Sequence, residues 1–164
     1  MSGAELATHL RQAVGQDPLA AVKVHPNVSQ IDLGSEAGRE RLEAILHACG
    51  ALALPVVIHG GRSPMFFNEP AREFAILDNL ARVDWSASAS TVVISHFGSY
   101  GFDHDELSGE RAKLRTLLDR YSNLMTDTSG LPYHTLKVML PDIDSDRILF
   151  GSDSLYVLMW QSVI

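Results

Sequence analysis

The sequence has one cysteine, Cys49, in 164 residues. That excludes an intrachain disulfide framework and fits a reducing compartment. It has no apolar run near the ~20 residues a membrane helix needs. The longest such stretch, "LYVLMW", lies close to the C-terminus. It has no cluster of basic residues, and its formal net charge is −7, which argues against nucleic acid or an anionic membrane surface as the main partner. The opening "MSGAELATHL" lacks the basic and apolar regions of a signal peptide. These absences set the expectation of a cytoplasmic protein. There is no low-complexity linker and no internal sign of a second domain. Apolar residues make up 46% and charged residues 20%, the balance of a soluble globular domain with a real core.

What is present is a regular alternation. "LAAVKVH" (19 to 25), "PVVIH" (55 to 59), "TVVISH" (91 to 96), "NLMTD" (123 to 127) and "RILFGSD" (147 to 153) read as strands. Each is short, apolar and bounded by Gly, Pro, Asp or Ser. Their apolarity is continuous rather than alternating, which suits parallel strands covered on both faces. Helical patterns lie between them. In "SEAGRERLEAILHACG", Ser35 can cap, Leu42, Ile45, Leu46 and Cys49 form a stripe, and Gly50 marks a stop. Further helices are expected from Ala4 to Val14, Glu69 to Val83, Leu107 to Tyr121 and Tyr133 to Leu140. Cys49 is expected in the core.

Each strand ends on an ionisable residue. His25, His59, His96, Asp127 and Asp153 follow one another at intervals of 34, 37, 31 and 26. A βαβ step takes ~30 residues, so each interval is one strand, one helix and a return. In parallel α/β folds the C-terminal strand edge is where ligands bind. Two architectures compete. A doubly wound sheet of order 2-1-3-4-5 suits the length but gathers ligands at a single switch point. A (β/α)8 barrel brings every strand end around one axis, but takes ~250 residues, of which five units are roughly 155. The chain has the length of five-eighths of a barrel.

The motifs "VKVHP", "PVVIHGG", "VVISHFG", "LMTDTSG" and "RILFGSDS" resemble, in that order, the later strands of the amidohydrolase-related metal-dependent hydrolases. The nearest branch is that of the aminocarboxymuconate-semialdehyde decarboxylase-like enzymes. The resemblance runs from about Ala20 to Ser154. It implies a partial (β/α)8 TIM barrel of five βα units, strands four to eight. It also implies one divalent metal, in most relatives zinc, and a small-molecule substrate. His59 matches the metal-ligating histidine of strand five. His96 matches the acid/base histidine of strand six, and Asp153 the strand-eight aspartate that contacts the metal and handles the attacking water. The family's His-x-His ligand pair on strand one has no counterpart, since no His-x-His occurs anywhere in this sequence. The expectation is one domain over 1–164, incomplete on its N-terminal side and at its C-terminal end. A second copy or a partner chain would complete the barrel.

The residue types suit the chemistry. Zinc takes imidazole nitrogen and carboxylate oxygen and keeps one position for water. A nearby base completes the proton transfers. A hydrolase attacking an amide, ester or lactone is the first reading. A non-oxidative decarboxylase, or a catalytically weak remnant acting as a binding module, are the alternatives, and whether the chain works alone as an enzyme stays open. Lys23 alternates with Val22 and Val24 and has two readings: an ammonium at the barrel mouth meeting a substrate carboxylate, or a solvated lysine. In some binuclear relatives such a lysine is carbamylated. Arg62, in the loop after His59, is expected to meet an anionic substrate. The glycines after His59, and Gly98, are expected to keep the pocket clear of side chains. Asp127 and Ser129 read as loop-bonding groups, and His25, before Pro26, as a turn-shaping residue. Met65, Phe66 and Phe67 lie in a loop over the mouth, as a lid, core cover or subunit contact.

Overall fold

The computed structural model describes residues 3–16 and 19–154. The apolar ending from 155 to 164 lies outside the described residues, and with it the expectation of an incomplete C-terminal helix. Five strands, β1 (Val22–Val24), β2 (Val56–Ile58), β3 (Val92–Ile94), β4 (Leu124–Asp127) and β5 (Ile148–Leu149), form one parallel sheet. Its order is β1-β2-β3-β4-β5. No reversal of strand order occurs, so the doubly wound alternative with its switch point is set aside. The strands are shorter than their apolar runs. β5 stops at Leu149, four residues before Asp153, which sits in the segment that follows at φ 54°.

Five helices accompany the sheet: α1 (Gly3–Gln16), α2 (Glu36–Gly50), α3 (Leu77–Leu80), α4 (Leu107–Arg120) and α5 (Tyr133–Met139). Strands that advance in one direction through crossovers of one hand carry their helices on one face. Accordingly α1 packs on α2, α3 on α4, and α4 on α5. The core lies between this layer and one side of the strands. Val56, Ile58, Val92, Ile94 and Leu124 are fully buried with Leu42, Leu46, Cys49, Leu114 and Phe97. Thr126 is tolerated there because its Oγ1 donates to the Ile94 carbonyl, at 2.8 Å.

Local signals explain α2. The Ser35 Oγ accepts from Gly38 N–H at 3.1 Å and donates to the Asp32 carbonyl. The helix ends at Gly50, as expected, and the left-handed turn falls on Ala53, at φ 53°. Gly50 is required for another reason: a Cβ there would meet the Ala89 nitrogen at 2.8 Å. The helix expected from Glu69 to Val83 is broken into a 3-10 turn at Pro70–Glu73 and the single turn α3. An antiparallel bridge between Gly61 and Ala75 draws the chain back to the sheet edge, with Gly61 N–H donating to the Ala75 carbonyl at 2.8 Å. A helix cannot continue through a residue held in that way. No helix among the described residues is long and apolar enough to cross a membrane.

Candidate active site

Alternation along the strands decides which side chains meet. Val24, Ile58, Ile94 and Thr126 share a register row against the helices. Lys23 and His25, Val57 and His59, Val93 and Ser95, Met125 and Asp127 therefore lie on the opposite, inner face. The C-terminal edge of that face gathers three imidazoles. The His25 and His59 rings stack with centroids 4.0 Å apart and planes within 9°. His59 and His96 meet at 5.0 Å, and Tyr100 stands 5.8 Å from His59 and 5.0 Å from His96. His59 and His96 are each 4% exposed.

His96 reaches the cluster through strained backbone. It follows Ile94 by two residues at φ 61°, Phe97 follows at φ 50°, and Gly98 at φ 65°. Non-glycine residues in this region cost roughly 1–3 kcal/mol each and persist where their surroundings fix them. Asp127 does the fixing. Its Oδ1 accepts from His96 N–H (2.9 Å), Ser129 N–H (3.0 Å) and Ser129 Oγ (2.5 Å). The Ser129 carbonyl in turn lies 2.7 Å from His96 Nδ1. A carbonyl only accepts, so this contact assigns the proton to Nδ1 and leaves the Nε2 lone pair free. Asp127 and Ser129 are loop-bonding groups, as expected, and beyond that they are positioning residues for His96. The "TDTSG" spacing carries the signal, since Ser129 sits two residues past a carboxylate in an Asx-type turn.

The loops after β2 and β3 touch backbone to backbone. A Cβ on Gly60 would meet the Gly98 Cα at 2.7 Å, and one on Gly61 (φ 116°) the Tyr100 nitrogen at 2.4 Å. The glycines serve this close approach rather than clearance of the pocket. It places Tyr100, which the sequence did not single out, beside both histidines. Arg62 is drawn into the same junction. Its guanidinium holds Glu106 through two hydrogen bonds of 2.8 and 3.0 Å, reaches Glu73 at 3.3 Å, and lies 4.1 Å over the Phe102 ring. The expected anion-binding arginine is instead committed to two carboxylates, because Glu106 precedes α4 directly across the loop.

Burial governs the protonation of the cluster. Desolvation, joined by the charges of Lys23 and His96, takes His25 down to about 4. Desolvation first, then His25, His96 and Lys23, take His59 to about 2. His96 is lowered chiefly by burial, against the Ser129 carbonyl and Asp127, which raise it. Lys23 is lowered by desolvation, with Asp127 and Asp153 opposing. The Asp153 charge opposes the lowering of Lys23, His25 and His96. The structure thus brings His59 and His96 together and adds His25, leaves Lys23 exposed with its Nζ donating to Ser95 Oγ, places Asp153 four residues past β5, and commits Arg62 elsewhere.

The donor set was tested for a divalent ion. His59 Nε2 and His25 Nδ1 are buried without a hydrogen-bond partner. Such orphaned nitrogens cost about 1–3 kcal/mol each unless something takes their lone pairs. Imidazole nitrogen and the Asp153 carboxylate are donors that zinc accepts. Among the described residues no three His, Cys, Asp or Glu side chains converge on one ion position. The fit is therefore one of donor type and of an unspent nitrogen at His59. Met65 and Phe67 are 73% and 70% exposed, so their loop covers no core.

A single parallel sheet that gathers imidazoles and carboxylates beyond the C-terminal ends of its strands is the layout of an α/β enzyme. The family model for amidohydrolases matches residues 1–162, and the chain belongs to that family. Among curated proteins nothing matches it.

Proposed function

We propose that this chain is a metal-dependent hydrolase of the amidohydrolase type, cleaving an amide, ester or lactone with an activated water. The observation that supports it is the pair His59 and His96 on adjacent strand ends, one with a buried unpartnered Nε2 and the other with Nδ1 bound and Nε2 free. His59 and Asp153 would hold the ion, their imidazole nitrogen and carboxylate oxygen being donor types that zinc takes. When bound, a divalent ion makes hydroxide available near neutral pH and polarises a carbonyl. His96, kept neutral by burial, accepts a proton at Nε2 from the attacking water and returns it to the leaving group. Asp127 and Ser129 hold its ring in the required orientation throughout. Burial of the cluster excludes bulk water from the proton's path.

In this reading the five units are barrel wall, strands four to eight, and the sequential order of the sheet supports that. β1 and β5 each pair on one side only among the described residues. A second copy or a partner chain would add strands there. We place the protein in the cytoplasm on its single buried thiol. A decarboxylase of the same family, with His96 delivering a proton to carbon, is the alternative reading. The test is to load the purified chain with zinc and assay p-nitrophenyl acetate and a simple lactone. Turnover that disappears in Asp153→Asn and His96→Gln is expected. Bound zinc with no turnover of either compound would leave the binding-module alternative instead.

A further inference from the structure

His25 stands just past β1 and before a proline, and its side chain does more than shape that turn. β1 and β2 pair in register, with Lys23 against Val57. Residues 25 and 59, each two positions further on, therefore reach the strand edge side by side. Neighbouring strands lie about 4.8 Å apart. The two imidazoles close to 4.0 Å between centroids, with planes within 9°. Strand pairing alone does not produce that contact, because both rings must also be turned to a common plane.

The turn that carries His25 is fixed on three sides. Pro26 has a set φ and confines the residue before it to extended backbone. The His25 carbonyl accepts from Ser29 N–H, and the Pro26 carbonyl from Ile31 N–H, each at 2.9 Å. Asn27 is fully buried and ties the turn to the segment after β2, its Nδ2 donating to the carbonyls of Ala71 (2.6 Å) and Arg72 (3.0 Å). His59 has less to hold it. Its Nε2 has no partner, and a hydrogen bond to the Arg62 backbone restrains one atom of the ring. The rings of His96 and Tyr100 meet it at 62°. Among the described residues only His25 lies flat against it.

The same stack limits what the His25 nitrogen can do. An imidazole directs its lone pair in the plane of the ring. Two nearly parallel planes, one above the other, do not direct their lone pairs at one point. His25 Nδ1 is buried and unpartnered, yet it cannot share an ion with His59 Nε2. What His25 offers His59 is the face of its ring.

We infer that His25 is the positioning residue of His59: through its ring face, not its nitrogen, it sets the plane of the His59 imidazole and so the direction of the free Nε2. That this raises metal affinity rests on the hydrolase reading above; that it orients the ring does not. Partners that orient a ligating imidazole are worth 10–100-fold in metal affinity.

Two variants separate face from nitrogen. His25→Phe keeps a ring and removes the nitrogen. His25→Asn keeps a polar atom near the Nδ1 position and removes the ring. The first measurement is zinc affinity, by competition with a chromogenic chelator, with an unchanged unfolding midpoint verifying the fold. His25→Asn is expected to lose about tenfold or more, and His25→Phe to stay close to the wild type. Wild-type affinity in His25→Asn, or an equal loss in both variants, overturns the inference. The second measurement needs no metal. In chelator-treated protein the His59 ring protons lie in the ring current of His25, and their NMR signals should be shifted upfield. His25→Asn should relieve that shift and His25→Phe should keep one. His59 signals unchanged in His25→Asn overturn the stack, and they decide the matter even where a phenyl ring lowers the unfolding midpoint. Failure of the wild type to bind zinc strikes the hydrolase reading, while the ring shifts still decide whether His25 orients His59.

Discussion

The two faces of the same five strands obey different rules. Toward the helices, Val56, Ile58, Val92, Ile94 and Leu124 are fully buried, and the one polar member, Thr126, spends its hydroxyl on a neighbouring carbonyl. Toward the other side, side chains on the same strands are Lys23, His25, His59, Ser95 and Asp127. There two imidazole nitrogens lack partners. The first face is chemically finished, and the second retains capacity that folding did not use. Stability and chemistry are thus separated by the period-two alternation of a β-strand. Residues that strain the second face are held by ones that do not touch its chemistry, as Asp127 holds His96.

The largest effect should come from damage to the finished face. Ile94→Ala removes a fully buried side chain from the middle strand and is expected to cost about 2–5 kcal/mol in denaturant unfolding. A cost under about 1 kcal/mol would show that this face is loosely packed. Acid comes next, and it acts on the other face. His25 and His59 are held neutral, at about 4 and about 2, against an unfolded value near 6.5. Below about 6.5 the unfolded chain binds protons that the native state refuses, so stability present above that pH is lost as pH falls. For His25 the loss continues toward about 4, and for His59 toward about 2. With chelator present, the slope should approach about 1.4 kcal/mol per pH unit for each histidine, and His25→Gln should reduce it. A slope unchanged in that variant would contradict the burial of His25.

A gain in stability is expected from His59→Leu. It replaces an orphaned buried nitrogen with an apolar group of similar size, and should raise metal-free stability by about 1–2 kcal/mol while abolishing zinc binding. A loss of stability would mean that the nitrogen has a partner in solution. The smallest change should follow Arg62→Met. Its carboxylate partners are half-exposed, and pairs of that kind contribute about 1 kcal/mol or less. The unfolding midpoint should barely move.

Much of this architecture is legible in the residues. The five apolar runs fall on the five strands, and their intervals of about one βα unit anticipate parallel neighbours in sequence order. Ser35 does cap α2, and Cys49 is core. His59 and His96 meet because adjacent parallel strands in register end side by side. What went unread depended on contacts between segments far apart in sequence. The helix expected from Glu69 to Val83 fails because Gly61 bonds Ala75, and nothing within 69–83 announces that bridge. Arg62 is occupied because Glu106 lies 44 residues away and arrives across the loop. His25, taken as a turn-shaping residue, stacks on His59 because β1 lies beside β2.

The sequence by itself determined which segments are strands, that they are parallel, and that polar groups stand at their C-terminal ends. Those are properties of local apolar pattern and of spacing, and each residue's neighbours along the chain suffice to express them. Only the tertiary structure decided what each polar group does. Whether Asp127 bonds only its own loop or also braces His96, and whether Arg62 is free, are settled by which partner reaches a donor first. That depends on distances between strands and loops, and the unused donors and lone pairs become visible only once every other group has taken its partner.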